Sequence, residues 1–130
     1  MRMLKTDPVI VDYNAITPYG EGIDICWQGL LNNQTSVTDI ERFDTSHFTS
    51  NKAATIKDLS FRNGKSLVLQ ILERLKENIN QEIPKDADLI LTSLNGEIDF
   101  VESEILKGNM CAEESCLNLL LAKTRDLFTI

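Results

Sequence analysis

Apolar residues recur at helical spacing in four parts of the chain, at residues 22–32, 64–79, 97–107 and 113–127. A spacing of i, i+3, i+4 and i+7 places side chains on one face of a helix, so four amphipathic helices are predicted. The four expected inward faces are Ile23, Cys26, Trp27, Leu30 and Leu31; Val68, Ile71, Leu72, Leu75 and Ile79; Ile98, Val101 and Ile105; and Cys116, Leu119, Leu120 and Leu127. Trp27 is therefore expected to be buried and structural.

Two short apolar runs have a different pattern. Pro8-Val9-Ile10-Val11 is β-branched, and "ADLILTS" at residues 87–93 is continuously apolar, which is typical of strands buried on both faces of a parallel sheet. The predicted fold is therefore α/β, with few parallel strands and about four helices. Two strands do not make a stable sheet alone, so either another element completes the sheet or the unit is small and helix-dominated.

Between these elements, the chain turns at residues 14–20, where Pro18 and Gly20 favour a turn. Residues 37–63 show no sustained period and are predicted to be extended segments and loops. The chain has 130 residues, of which 42% are apolar, so we expect a single domain over residues 1–130.

The net charge of −7 disfavours binding to nucleic acid or to an anionic membrane surface, because both carry negative charge. No apolar run approaches the roughly 20 residues of a membrane span. Asp7 and Pro8 interrupt the apolar core that a signal peptide needs. The cysteines, Cys26, Cys111 and Cys116, are odd in number, which is typical of reduced thiols, and a cytoplasmic location is expected.

Two stretches raise the question of a catalytic or phosphate site. "NGKS" at residues 63–66 resembles the end of a phosphate-binding loop, but that motif requires glycine where this chain has Leu59. We interpret the stretch as a helix start, with Ser66 near the first turn. His47 is the only histidine, and it lies beside Ser46 in a polar loop. Adjacency in sequence does not make a catalytic pair, so His47 is predicted to be a surface residue.

The remaining cysteines and carboxylates favour no site. Cys111 and Cys116 do not match a zinc spacing, and the acidic and apolar neighbours of Cys116 raise the pKa of a thiol, which favours a core position. The close carboxylates are expected on solvated helix faces; they are Glu102, Glu104, Glu113 and Glu114. No catalytic, cofactor-binding or metal-binding residue is therefore predicted.

Residues 15–44 resemble the N-terminal region of the β-ketoacyl-acyl-carrier-protein synthases, the condensing enzymes of the thiolase-like fold. The matching positions are Ala15-Ile16-Thr17-Pro18, Gly20, Trp27, Leu30-Leu31, Ser36, Ile40 and Arg42-Phe43-Asp44. More loosely, the likeness extends over nearly the whole chain, including Val9 to Val11, "KAATIKDLSF" and "ADLILTS". The resemblance implies a partial thiolase-like layer and a role in fatty-acid or polyketide-type biosynthesis.

The chain departs from the family pattern at several points. Tyr13 stands where the family usually has glycine, and the segment after Phe61 is shorter than usual. In the family, the nucleophilic cysteine follows the next strand, and two histidines, or a histidine and an asparagine, come from the second half of the protein. The sequence ends at Ile130, before that strand, so the resemblance assigns no catalytic residue here.

The sequence thus predicts a β-ketoacyl synthase-like protein that is not catalytic alone. Two alternatives stay open: an active acyltransferase whose catalytic half comes from a second chain, and a non-catalytic accessory or chain-length-type subunit. In each case we expect a protein partner, either a second copy or another ketosynthase-like chain, and no cofactor. The acidic acyl carrier protein is an unfavourable direct partner for an acidic chain.

Overall fold

The computed structural model describes residues 9–61, 64–109 and 117–130. The elements found in this part of the chain are β1 (Ile16–Thr17), β2 (Gly20–Glu21), α1 (Ile23–Leu31), β3 (Val37–Asp39), β4 (Lys52–Ala54), α2 (Leu67–Glu77), α3 (Ile98–Leu106) and α4 (Leu117–Phe128). The four predicted helices are confirmed, each within a few residues of its expected bounds. The predicted start of α4 lies outside the described residues.

The architecture is α/β, but its strands are not those predicted. β1 pairs with β2 and β3 pairs with β4, both antiparallel, in two separate two-stranded sheets. The prediction of parallel strands at Val9–Val11 and at residues 87–93 is wrong for the described residues, because neither segment pairs with another strand. An apolar extended segment becomes a strand only when a neighbour supplies the hydrogen bonds of the ladder.

The turn at residues 14–20 forms a β-hairpin that carries α1. The two residues between its strands are Pro18 and Tyr19, and the Tyr19 N–H donates to Thr17 Oγ1 at 3.2 Å. The ring of Tyr19 lies against the buried Gly29 of α1, and its hydroxyl donates to the Gln34 carbonyl at 2.9 Å. One aromatic side chain therefore fixes both the middle of α1 and the loop that follows it.

Gly29→Ala tests this contact. A Cβ at residue 29 would lie 2.4 Å from Tyr19 Cδ1, which is far inside van der Waals contact. The ring must move and strain its hydrogen bond, so we expect a loss of about 1–3 kcal/mol in the free energy of unfolding, as is usual for overpacking. Urea denaturation measures this loss. Gly22→Ala is not a matched control because Gly22 has a positive φ, whereas Gln28→Ala changes an exposed position of the same helix and should cost little.

The three later helices meet around a buried polar cluster. The Ser66 hydroxyl caps α2 by accepting from the Leu69 N–H, and it donates to Glu97 Oε1 at 2.7 Å. The other oxygen of Glu97 forms an ion pair with Lys123 Nζ at 2.8 Å. Glu97 is 1% exposed, while the Lys123 side chain is 34% exposed. The cluster joins the starts of α2 and α3 to the middle of α4.

Apolar burial in this body is small. Leu59 and Leu120 are the fully buried apolar side chains in the described part of the chain. The predicted inward residues of α2 are only half-buried, and Ile98 and Ile105 of α3 are exposed. The predicted helix faces therefore exist, but the described residues do not close them into a full core.

The accessible surface area supports the same conclusion. The chain exposes 10654 Å². A compact monomer of 14.7 kDa exposes about 6,900 Å² by the usual scaling of surface with mass. The area of the whole chain is therefore larger than that of a compact monomer of the same mass, in line with the small number of buried apolar side chains.

Candidate association surface

The apolar face of α1 is open. Trp27 is 57% exposed, so the prediction that this side chain is buried is wrong for the described structure. Ile23, Leu30 and Leu31 on the same helix are also exposed, although their spacing is that of an inward face. The helix contacts the hairpin through Ile25, which lies against Gly20 of β2, and through Gly29, which lies against Tyr19, while its apolar stripe stays exposed.

The exposure of Trp27 changes the expected result of Trp27→Ala. Replacing a buried tryptophan with alanine would lower the free energy of unfolding by about 3–5 kcal/mol. Because this side chain already faces solvent, we expect the free energy of unfolding of the isolated chain to fall by less than about 1 kcal/mol. Thermal denaturation followed by circular dichroism provides the measurement. A loss near the buried value would show that Trp27 packs inside the isolated chain.

The segment before β1 belongs to no helix or strand and exposes its apolar side chains. Ile10 is 84% exposed, and Val9 and Val11 are exposed as well. Within the described residues, the main-chain groups of Val9–Val11 make no backbone hydrogen bond to another segment. Asp12 fixes the segment in place, because its Oδ2 accepts from the Asn80 N–H at 2.8 Å. The result is an anchored apolar strip whose backbone donors and acceptors are available for pairing.

Tyr13 separates two apolar hollows on this surface. The larger has a volume of about 410 Å³ and lies between the strip and the C-terminal ends of α2 and α4, where its apolar lining consists of Val11, Tyr13, Leu75, Ile79, Ile83, Pro84 and Phe128. The smaller, about 290 Å³, lies between Tyr13 and the open face of α1, and it is lined by Ile23, Cys26, Trp27 and Leu30. The two hollows and the strip form one continuous feature, which we call the Tyr13 surface.

The charged groups of the Tyr13 surface all have the same sign. Asp12 and Glu82 line the larger hollow, and Asp24 lines the smaller one. Among the described residues, no lysine, arginine or histidine lines either hollow. The nearby Lys76 ammonium donates to the Leu127 carbonyl at the end of α4 and does not line the larger hollow. The surface therefore combines apolar hollows with an acidic rim.

A second apolar segment, at residues 87–94, also exposes apolar side chains to solvent. Ile90 is 90% exposed and Leu94 is exposed too, whereas Leu89 and Leu91 are half-buried. This alternation is the side-chain pattern of an extended strand with one covered face. The "ADLILTS" stretch therefore has one partly covered side and one exposed side, and it pairs with no strand among the described residues.

The structure does not bring the candidate catalytic residues together. The Ser46 hydroxyl donates to Asp44 Oδ2 at 2.9 Å, and His47 is exposed in the same loop. Hydrogen bonds from the Ser46 backbone N–H and hydroxyl lower the pKa of the Asp44 carboxyl. Ser46 is therefore paired with the carboxylate two residues earlier, and the prediction of a surface His47 is confirmed.

The "NGKS" stretch is the start of a helix, as predicted. Lys65 forms an ion pair with Glu73 at 2.7 Å, and Ser66 is the N-cap of α2. Asn63 lies outside the described residues. The connection of Ser66 to Glu97 and Lys123 escaped sequence reasoning, because these three residues are far apart in the chain and nothing in their spacing relates them.

The remaining candidates, which are the cysteines and the close carboxylates, do not have the surroundings of reactive groups. Cys26 is half-buried in the smaller hollow, while Cys111, Cys116, Glu113 and Glu114 lie outside the described residues. Glu102 is exposed, as predicted for a solvated face. Hydrogen bonds from Lys107 and Asn109 lower the pKa of the Glu104 carboxyl, which is opposite to what a general acid needs.

Neither a cluster of metal ligands nor a membrane-spanning helix occurs in the described part of the chain. No group of three or more metal-binding side chains lies together in residues 9–61, 64–109 and 117–130. Over the same residues, no helix is long and apolar enough to cross a bilayer.

Comparison with known proteins gives two distant relatives of one kind. The chain is 24% identical over 117 residues to 3-oxoacyl-acyl-carrier-protein synthase 2 of Vibrio cholerae, an alignment that covers 78% of this chain and 28% of the relative. It is 30% identical over 56 residues to the protein of the same name from Vibrio harveyi, covering 43% of this chain and 14% of the relative. No family model and no solved structure matches. The chain therefore spans less than a third of either relative, and it has a distant, ketosynthase-like relationship to them.

Proposed function

We propose that this chain is a β-ketoacyl synthase-like protein of fatty-acid or polyketide-type biosynthesis that is not catalytic alone and acts by associating with a second polypeptide. The observation that carries the proposal is the open Tyr13 surface, on which an apolar helix face, an unpaired strip and two hollows adjoin. The proposal includes a partial thiolase-like layer and a cytoplasmic location.

The distant relatives and the fold support the association. Both relatives bear the name of a condensing enzyme, and each is several times longer than its region of similarity to this chain. The segments expected to be core strands, Val9–Val11 and residues 87–93, form no strand pair within the described residues. Extended apolar segments with free edges pair readily with strands of another chain.

The chemistry of the described residues supports the absence of independent catalysis. A Claisen condensation needs a thiolate to hold the acyl group, donors for the oxyanion, and a group that assists decarboxylation. Cys26 shares its hollow with Asp24 and apolar side chains, and no basic residue from the described part of the chain lines that hollow. A thiol in this setting has no adjacent base to remove its proton.

The proposed function is tested with purified chain, acyl-carrier protein and malonyl-carrier protein, followed by mass spectrometry of the carrier-bound products. We expect no condensation and no acyl transfer to the chain. The control adds a full-length 3-oxoacyl-acyl-carrier-protein synthase, which shows that the substrates are competent.

Turnover by the chain alone would overturn the proposal, and a variant with Cys26, Cys111 and Cys116 replaced by alanine then identifies the mechanism. Turnover that survives the triple replacement would also exclude the cysteine mechanism of the condensing enzymes. Turnover that neither chain gives alone, and that appears only when a second chain carrying the catalytic half of a synthase is mixed in, would favour the alternative of an acyltransferase completed by two chains. Binding without turnover would favour the accessory-subunit alternative.

A further inference from the structure

We infer that the partner of the Tyr13 surface is a basic polypeptide that adds an extended, apolar segment to Val9–Val11, and not a second copy of this chain. The inference rests on the proposed association and identifies the chemistry of the partner. It follows from three features that occur together: free main-chain groups, apolar hollows beside them, and an acidic rim.

The free main-chain groups determine the form of the partner segment. Val11 lies at the edge of the larger hollow, so the strip that lacks backbone partners borders the cavity directly. A strand added along Val9–Val11 would satisfy these donors and acceptors, and alternate side chains of that strand would face the same side. Because Asp12 ties the strip to Asn80, the strip is held in position before the partner arrives.

The hollows determine the side chains of the partner segment. The larger hollow, of about 410 Å³, is lined mainly by aliphatic and aromatic groups, including Leu75, Ile79 and Phe128. A volume of this size accommodates more than one aliphatic side chain, and filling it removes apolar surface from water. The partner segment is therefore apolar at the positions that face the hollows.

The rim determines the charge of the partner. The carboxylates of Asp12, Glu82 and Asp24 line the hollows, and no cationic side chain of residues 9–61, 64–109 or 117–130 lines them. Lysine or arginine residues beside the apolar positions would pair with these carboxylates and speed the encounter. A second copy would bring the same three carboxylates to the interface and a net charge of −7 to the encounter, so like charges oppose self-association at this surface.

The probe is a synthetic peptide of roughly ten residues with alternating valine and threonine in the centre and lysines at both ends, a strand-adding design. The matched control peptide has glutamates in place of the lysines. Binding to the full chain is followed by the fluorescence of Trp27, which lines the smaller hollow, and checked by calorimetry. The variants are Tyr13→Ser and Glu82→Lys, with Glu102→Lys as a control that makes the same charge change on α3, away from both hollows.

We expect the lysine peptide to bind at least about ten-fold more tightly than the glutamate peptide, with the difference shrinking as salt rises. Tyr13→Ser should lower the affinity for the lysine peptide about ten-fold. Glu82→Lys should lower it about three-fold, since this variant reverses a single rim charge. Glu102→Lys should leave its affinity within about two-fold of the unmodified chain. Circular dichroism confirms that each variant is folded.

Equal affinities for the two peptides, or no binding of the lysine peptide, would overturn the inference. If Tyr13→Ser leaves binding of the lysine peptide unchanged, the peptide binds at another site, which would also overturn the inference. Self-association of the chain that is lost in Tyr13→Ser would make a second copy the occupant. These outcomes leave the proposed function standing, whereas condensation by the chain alone would overturn the proposed function whatever the peptides do.

Discussion

Lys123→Met is expected to lower the free energy of unfolding by about 2–4 kcal/mol, somewhat less than the cost of breaking a fully buried ion pair, because the Lys123 side chain is 34% exposed. The change removes the ammonium that pairs with Glu97 at 2.8 Å but keeps an unbranched apolar stem beside Phe100. Since Glu97 is almost completely buried, its carboxylate would remain in the protein with only the Ser66 hydroxyl as a donor. Urea denaturation of the variant and the unmodified chain measures the difference.

Two comparisons show whether the buried carboxylate causes the loss. Lys107→Met breaks the exposed pair between Lys107 and Glu104, so it should cost less than about 1 kcal/mol. Adding Glu97→Gln to Lys123→Met should recover part of the stability, because a neutral amide needs no counter-charge and can still accept from Ser66. A double variant as unstable as the sum of the single ones would show that burial of an unpaired charge is not the cause.

Leu120→Ala is expected to destabilise the chain by about 2–5 kcal/mol, the range for emptying a buried leucine site. Leu120 is 1% exposed and belongs to the small set of fully buried apolar side chains in the described residues. With so little apolar burial elsewhere, the neighbouring helices have few other contacts to compensate. Chemical denaturation with fluorescence detection gives the size of the loss.

Leu106→Ala is the matched control for this prediction. Leu106 ends α3 and is almost fully exposed, so the same truncation should change the free energy of unfolding by less than about 0.5 kcal/mol. If the two variants lost equal stability, the packing of α4 against α2 would not be the source of the stability of the helical body.

The sequence predicts the helices well because local physics determines them. The stripe of α2 and its start near Ser66 depend on residues within a few positions of one another, and both are found where expected. The hairpin at residues 16–21 likewise depends on the turn residues Pro18 and Gly20. Spacing shows which residues share a face, and it does not show whether that face has something to pack against.

That difference explains the two wrong predictions. The pattern around Trp27 is that of an inward helix face, and the pattern of Val9–Val11 is that of a buried strand. Both patterns describe an apolar surface that needs cover, yet the described residues supply none. An apolar face is covered by segments that are distant in sequence or that belong to another chain. Local spacing predicts that a strand is buried, but it does not show which strands pair with it.

The polar cluster is a set of contacts that local spacing in the sequence does not reveal. Ser66, Glu97 and Lys123 are ordinary polar residues in sequence, and only the packing of three helices makes them the buried junction of the body. The candidate site could be foreseen in part, since the resemblance over residues 15–44 and the shortage of strands both indicated an incomplete layer. The hollows beside Tyr13 and their acidic rim required the structure, because their linings combine five separate segments of the chain.

The central claim, that the Tyr13 surface is open in the isolated chain, is tested most directly by acrylamide quenching of fluorescence. Trp27 is the only tryptophan, so the signal reports one position on this surface. In a sample shown by sedimentation to be monomeric, the account predicts a quenching constant at least about half that of a free tryptophan derivative, as expected for a side chain that is 57% exposed. A tryptophan shielded from acrylamide in that monomer would contradict the account, because it would mean that the chain covers its own apolar face.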